Sequence, residues 1–233
     1  MDAEGCPLPD DRRYDLEQDV WALEGPESGV VTVGIMAPLA SFAGRFVRLT
    51  FRDVPGPQPR GRSVATAESV RFTGAVRLPL AGTVVAHNEA LVSRPKLIND
   101  APYGEGWVVR VRPGDASEFG KLPSASEVVD EVRRRVREMR IHCLPAAPDQ
   151  EMFEIGAECQ AILVRLDEEL AHLPVGDVIH LVTDDPTSPV EMVRWSDRSG
   201  QPVLHAWSEG NLRHFLVRRV ADPRPRRRAV PVD

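Results

Sequence analysis

The chain has 233 residues, enough for one large domain or two small ones at roughly 100–200 residues per domain. With 42% hydrophobic and 27% charged residues it has the composition of an ordinary globular protein, which excludes a disordered chain and a disulfide-dense miniprotein. A formal net charge of −6 weighs against general nucleic-acid binding, which needs a positive field.

From Tyr14 to about Pro113 short alternating or β-branched runs are separated by Gly and Pro turns, which predicts an all-β sandwich or barrel. The clearest strands are Val30 to Ile35, Arg45 to Phe51, Ser63 to Ala67, Gly82 to Ala86 and Trp107 to Val111. Between Ser124 and Arg140 the period changes: Val128, Val132, Val136 and Met139 recur at helical spacing, and Ser124 with Glu127 forms a capping-box signal. One amphipathic helix is expected there, its arginines forming a solvated face. Residues 141–150 carry two prolines and read as a linker.

After the linker come a strand at Met152 to Ile155, a helix from Cys159 to Ala171, a strand at Val178 to Thr183, a helix at Pro189 to Asp197, and strands at Val203 to Trp207 and Leu212 to Val220. Ile162, Leu163, Leu166 and Leu170 give the first helix an apolar stripe, so two helices can cover one face of a four-stranded sheet. Ser188, Pro189 and Glu191 supply start signals for the second helix, and Asp184 and Asp185 stabilise the turn before it. The Pro- and Arg-rich end, residues 221–233, lacks core formers and is expected to be a disordered extension.

No run approaches the ~18 uncharged apolar residues of a membrane span, and the acidic start has no signal-peptide pattern, so a cytoplasmic location is expected. In that compartment the odd number of cysteines, Cys6, Cys143 and Cys159, suggests no disulfide framework. Cys6 is expected in a flexible N-terminus, and Cys143 is either a resolving thiol for Cys159 or a plug at the interface between domains. The six histidines show no metal-ligand spacing, so no metal is expected. No Gly-rich phosphate loop and no Ser/His/Asp elbow is present, which leaves little basis for metabolite turnover.

Three segments resemble, in order and spacing, the H proteins of the glycine cleavage system: VGIMAPLASFAGRFVRL, AESVRFTGAVRLPLAGTVVAHNEAL and SRPKLINDAPYGEGWVVRVRP. The resemblance spans residues 10–140 and implies a lipoyl-type β-sandwich, a barrel-sandwich hybrid, with a C-terminal helix. It also implies a hairpin that presents a lipoylated lysine within Glu-Ser-Val-Lys. Here the hairpin reads Glu68-Ser69-Val70-Arg71. A permanently charged guanidinium cannot accept an acyl group, so Arg71 replaces the lipoyl lysine and no cofactor is expected. Only Lys96 and Lys121 among the 29 basic residues are lysines, and both read as solvated surface outside the hairpin. Arg71 is either a solubilising charge or a contact for a partner carboxylate or phosphate.

Residues 151–220 resemble the TusA-type sulfur carriers. The resemblance rests on Gly156-Ala157-Glu158-Cys159, Pro174-Val175-Gly176-Asp177, Thr183-Asp184-Asp185-Pro186 and Phe215-Leu216-Val217-Arg218-Arg219. It implies a small two-layer α/β sandwich with Cys159 as the persulfide-bearing residue. The family continues Cys-Pro-x-Pro, whereas this chain gives Cys159-Gln160-Ala161-Ile162. A helix N-terminus lowers a thiol pKa, while Glu154 and Glu158 nearby raise it. The expected fold class is therefore α+β in two domains. The expected function is a sulfur relay: Cys159 takes sulfane sulfur from a cysteine desulfurase or rhodanese-like donor and passes it to a sulfur-accepting enzyme, while the first domain docks a partner. Such a protein is a carrier rather than a metabolite-converting enzyme, and the transfer requires an exposed Cys159. The alternative is a non-catalytic adaptor in which both carrier sites are degenerate.

Overall fold

The computed structural model describes residues 1–25 and 29–223 and divides into two compact units, 1–147 and 148–233. The predicted basic tail lies mostly outside the described residues.

The first unit begins with β1 (Asp2–Ala3), β2 (Cys6–Pro7), β3 (Arg13–Asp15), β4 (Val20–Glu24) and β5 (Val31–Ile35), followed by helix α1 (Ala37–Ala43). It continues with β6 (Phe46–Phe51), β7 (Pro57–Gln58), β8 (Ser63–Ser69), β9 (Thr73–Arg77) and β10 (Gly82–His87). Two single-turn helices, α2 (Ala90–Ser93) and α3 (Leu97–Asp100), precede β11 (Trp107–Pro113), α4 (Ser117–Lys121) and α5 (Ala125–Glu138). A six-stranded sheet, ordered β3-β4-β5-β11-β10-β7, and a three-stranded sheet, β6-β8-β9, contribute to one apolar core. Alternation along the strands builds that core: Val31, Val33 and Ile35 face in from β5, and Ala65 and Ala67 from β8.

The helix expected after Ser124 ends at Glu138, and its start is fixed by Glu127, whose carboxylate accepts the Ser124 N–H at 2.7 Å and hydroxyl at 2.6 Å. Its apolar stripe, Val128, Val129, Val132 and Val136, packs with Trp21, Met36, Tyr14, Leu8 and Ala3 in a second cluster. The N-terminus therefore departs from expectation. Residues 1–9 are not flexible: Glu4 and Gly5, both at positive φ (57° and 82°), turn the chain between β1 and β2, and the Asp2 carboxylate accepts the Gly5 N–H at 2.8 Å. Cys6 is fully buried in this cluster and forms a disulfide with Cys143. This overturns the expectation of three free thiols. The two cysteines lie 137 residues apart, and only the packing of β1 and β2 against α5 brings them together.

The second unit comprises β12 (Gln150–Glu154), α6 (Cys159–His172), β13 (Val178–Thr183), α7 (Ser188–Ser199), β14 (Val203–Glu209) and β15 (Leu212–Arg218). Its sheet runs β12-β13-β15-β14, with β12 and β13 parallel and the other neighbours antiparallel. Met152, Ile179, Leu181, Phe215 and Val217 on one face pack against Ile162, Leu163, Leu166 and Leu170 of α6 and Met192 and Trp195 of α7. The Trp195 indole N–H donates to Asp167 at 2.9 Å, satisfying the polar edge of a buried ring. The parallel pairing of β12 and β13 sends both helices off from the same end of the sheet, and Cys159 sits there.

Candidate functional site

In the first unit the hairpin of β8 and β9 turns at Ser69, Val70, Arg71 and Phe72. Ser69 organises the turn: its N–H donates to the Phe72 carbonyl at 2.7 Å, and its hydroxyl accepts the N–H groups of Arg71 and Phe72. The same hydroxyl donates to the Ala43 carbonyl at 2.6 Å, pinning the turn to the end of α1. Val70 projects with 91% exposure. The exposed Arg71 side chain lies over Gly44, where φ is 74° and a Cβ would come within 2.8 Å of Nη2. The backbone conformation there favours glycine, while the exposed guanidinium is the end of a flexible side chain that could move aside.

Beneath the turn, Asn99 braces α1 to β6. Its Nδ2 donates to the Ala40 and Gly44 carbonyls at 2.9 Å each, and its Oδ1 accepts the Phe46 N–H at 2.9 Å. Phe46 in turn meets the Phe72 ring edge-on at 6.3 Å. Further along that segment, Tyr103 accepts the Ala37 N–H at the start of α1, and burial pushes its pKa up to about 12. Asn99 and Tyr103 carry no chemistry that sequence reasoning could single out; their role is visible only once α1 is in place. The two lysines take no part: Lys96 pairs with Asp100 at 3.8 Å, and Lys121 ends the separate helix α4.

In the second unit Cys159 is the free cysteine, the first residue of α6, and only 7% exposed. Persulfide chemistry was expected to require its exposure, and the structure buries it instead. Burial is the first cause that raises the Cys159 pKa above the ordinary thiol range, followed by the charges of Asp185 and Glu191; a hydrogen bond with the Thr187 side chain works in the opposite direction. The acids expected to act, Glu154 and Glu158, are not among these causes. Glu154 instead accepts a hydrogen bond from Arg165 on α6 at 2.7 Å, and Glu158 caps the helix with its backbone.

Asp185 is the hub of this region. Its carboxylate accepts the Thr187 N–H at 2.7 Å and hydroxyl at 2.6 Å, and hydrogen bonds from the Thr187, Cys159 and Ser188 backbones help hold its own pKa down. Asp184 accepts the Gly156 N–H at 2.8 Å, so the two aspartates bind the β12–α6 loop to the β13–α7 loop. The predicted stabilising role of this pair is thus filled. The start of α7 is held by Asp185 rather than by Ser188, whose hydroxyl donates to the Asp185 carbonyl. The negative carboxylate occupies the positive end of the α6 dipole that a Cys159 thiolate would otherwise use.

On the sheet, His180, His205, His214 and Trp207 form a run of stacked rings with centroids 4.6 to 5.5 Å apart, and His180 Nε2 lies 3.0 Å from His214 Nδ1. Strand alternation at His180, His205, Trp207 and His214 is the signal that could have revealed this shared face. Burial, and then the charge of His214, hold the His180 pKa below its ordinary value. Among the described residues no group of three or more His, Cys, Asp or Glu side chains is arranged to hold a metal, and no helix is long and apolar enough to cross a membrane.

Residues 12–135 match the model of the family described as Glycine cleavage H-protein. Glycine cleavage system H protein 5 of Aquifex aeolicus (strain VF5) is 38% identical over 144 residues, covering 60% of this chain and 96% of that protein. The probable glycine cleavage system H protein of Aeropyrum pernix is 38% identical over 136 residues, covering 55% of this chain and 87% of that protein. A solved glycine cleavage system H protein from Mycobacterium marinum is 30% identical at a TM-score of 0.47, covering 53% of this chain and 98% of that one. The family match and the curated relatives fall on the unit whose hairpin turns at Arg71: the chain belongs to the glycine cleavage H-protein family.

Proposed function

We propose that the chain is a family member without a lipoyl arm whose second unit relays sulfur on Cys159, the first unit serving to dock a partner. The observation that carries this reading is the division of thiols: Cys6 and Cys143 are joined to each other, which leaves Cys159 as the free sulfur nucleophile, at the start of α6 beside Thr187. Thiolate attack on a donor persulfide needs no cofactor. The resemblance of residues 151–220 to TusA-type carriers supports the same assignment, and a cysteine desulfurase or rhodanese-like protein fits as donor. Docking by the first unit is supported by a hairpin that stays pinned by Ser69 to an α1 that Asn99 braces, although Arg71 cannot be acylated.

The 7% exposure of Cys159 favours a second reading, a non-catalytic adaptor whose thiol is structural. One experiment separates the two. The full chain and Cys159→Ser are incubated with glutathione persulfide, and bound sulfane sulfur is counted by cyanolysis. The relay predicts one sulfur per chain in the parent and none in Cys159→Ser; no sulfur in either leaves the adaptor. Lipoate ligase with lipoate should add nothing to the parent, and a lipoyl adduct would overturn the arm-less assignment.

A further inference from the structure

We propose that the Cys6–Cys143 disulfide is a redox-operated latch that fastens the N-terminal hairpin to the start of the segment leading into the second unit. An isolated pair of two-residue strands is marginal in water, so β1 and β2 depend on what holds them. That hold is Ala3, Cys6 and Leu8 against α5, a hydrogen bond from Arg133 to the Asp2 carbonyl at 3.0 Å, the exposed pair Arg137–Glu4 at 3.6 Å, and the disulfide. At the other end, the chain leaves α5 through Arg140 at positive φ (51°), and the Ile141 N–H closes on the Val136 carbonyl at 2.9 Å. Cys143 follows in irregular chain, Ala146 and Ala147 are buried, and the Ala147 N–H donates to the Asp100 carboxylate at 3.1 Å. The disulfide is the covalent link between the hairpin and this segment, whose remaining hold on the first unit is noncovalent.

Of the two cysteines, Cys6 is fully buried and Cys143 is half-buried, so Cys143 is the side from which a reductant would approach the bond. A dithiol reductant supplies the chemistry. Its first thiolate attacks Cys143 Sγ, forming a mixed disulfide and releasing the Cys6 thiolate, which takes up a proton. Its second thiol then displaces Cys143, and the reductant leaves as a cyclic or protein disulfide. Two electrons and two protons pass to the pair. In the reduced chain the hairpin can lift from α5, and the residues between Ile141 and Ala147 become slack in the tether to the second unit.

The test uses the full chain in a Cys159→Ser background, so that only the latch thiols react. Dithiothreitol is added under native conditions, the thiols are counted by alkylation and intact mass, and amide hydrogen exchange is followed by peptide. The account expects two alkylated thiols and roughly tenfold faster exchange confined to residues 1–9 and 139–147, with β4, β5 and β11 unchanged. Cys6→Ser/Cys143→Ser should exchange like the reduced chain without any reductant. The latch is overturned if the bond resists reduction until the chain is denatured, if exchange is unchanged on reduction, or if the whole first unit loosens. The sulfur-loading experiment on Cys159 is independent of each of these outcomes.

Discussion

At the β8–β9 tip, Ser69 holds the turn and pins it to the end of α1, yet the residue in the turn is Arg71. Around Cys159 the reactive atom is kept, while burial, Asp185 and Glu191 hold it protonated. The first region preserves shape without the acceptor atom; the second preserves the acceptor atom in surroundings that oppose its reactive form. Geometry and reactivity are therefore set by different residues, and each can be altered without the other.

The largest expected effect comes from restoring the missing atom. Because Ser69 already shapes the turn and pins it to α1, Arg71→Lys should convert a chain that lipoate ligase leaves unmodified into one that it lipoylates nearly to completion, read by intact mass. An unmodified Arg71→Lys chain would show that the tip has lost more than its amine.

At the other region, Asp185→Asn removes the charge beside Cys159 and keeps a side-chain oxygen that can accept the Thr187 N–H and hydroxyl. The thiol pKa should fall, and alkylation by iodoacetamide at neutral pH should speed up roughly tenfold. The full pH profile should shift to lower pH, which a purely structural loosening would not produce. Glu191→Gln removes a charge already shared with Arg194 at 2.6 Å and should change the rate by only about twofold.

The smallest effect is on stability. The folded chain holds the Cys159 proton more tightly than the unfolded chain does. The contribution is therefore fully present below the unfolded thiol pKa of about 8.5 and is lost as pH rises through the higher folded value. The denaturant midpoint should decline over that window in the parent and decline less in Cys159→Ala, as measured by urea titration at several pH values.

Much of this was legible in the residues. The strand at 178–183 and the helix starting at Cys159 fall where periodicity puts them, and the capping box at Ser124 and Glu127 forms as read. Helix α1 was not legible, because Ala37-Pro38-Leu39-Ala40 has no polar face and sits inside what reads as a loop between strands. The disulfide was not legible because it depends on a hairpin too short to carry a pattern. The environment of Cys159 was misread because sequence proximity pointed to Glu154 and Glu158, whereas the sheet brings in Asp185 from a different loop.

The most direct test of the central claim is intact-protein mass spectrometry of the full chain, without reductant, after incubation with a cysteine desulfurase and cysteine. The parent should gain one sulfur atom, about 32 Da, and Cys159→Ser should gain none. A parent that takes up no sulfur, while its Cys159 also resists alkylation until the chain is unfolded, would contradict the relay.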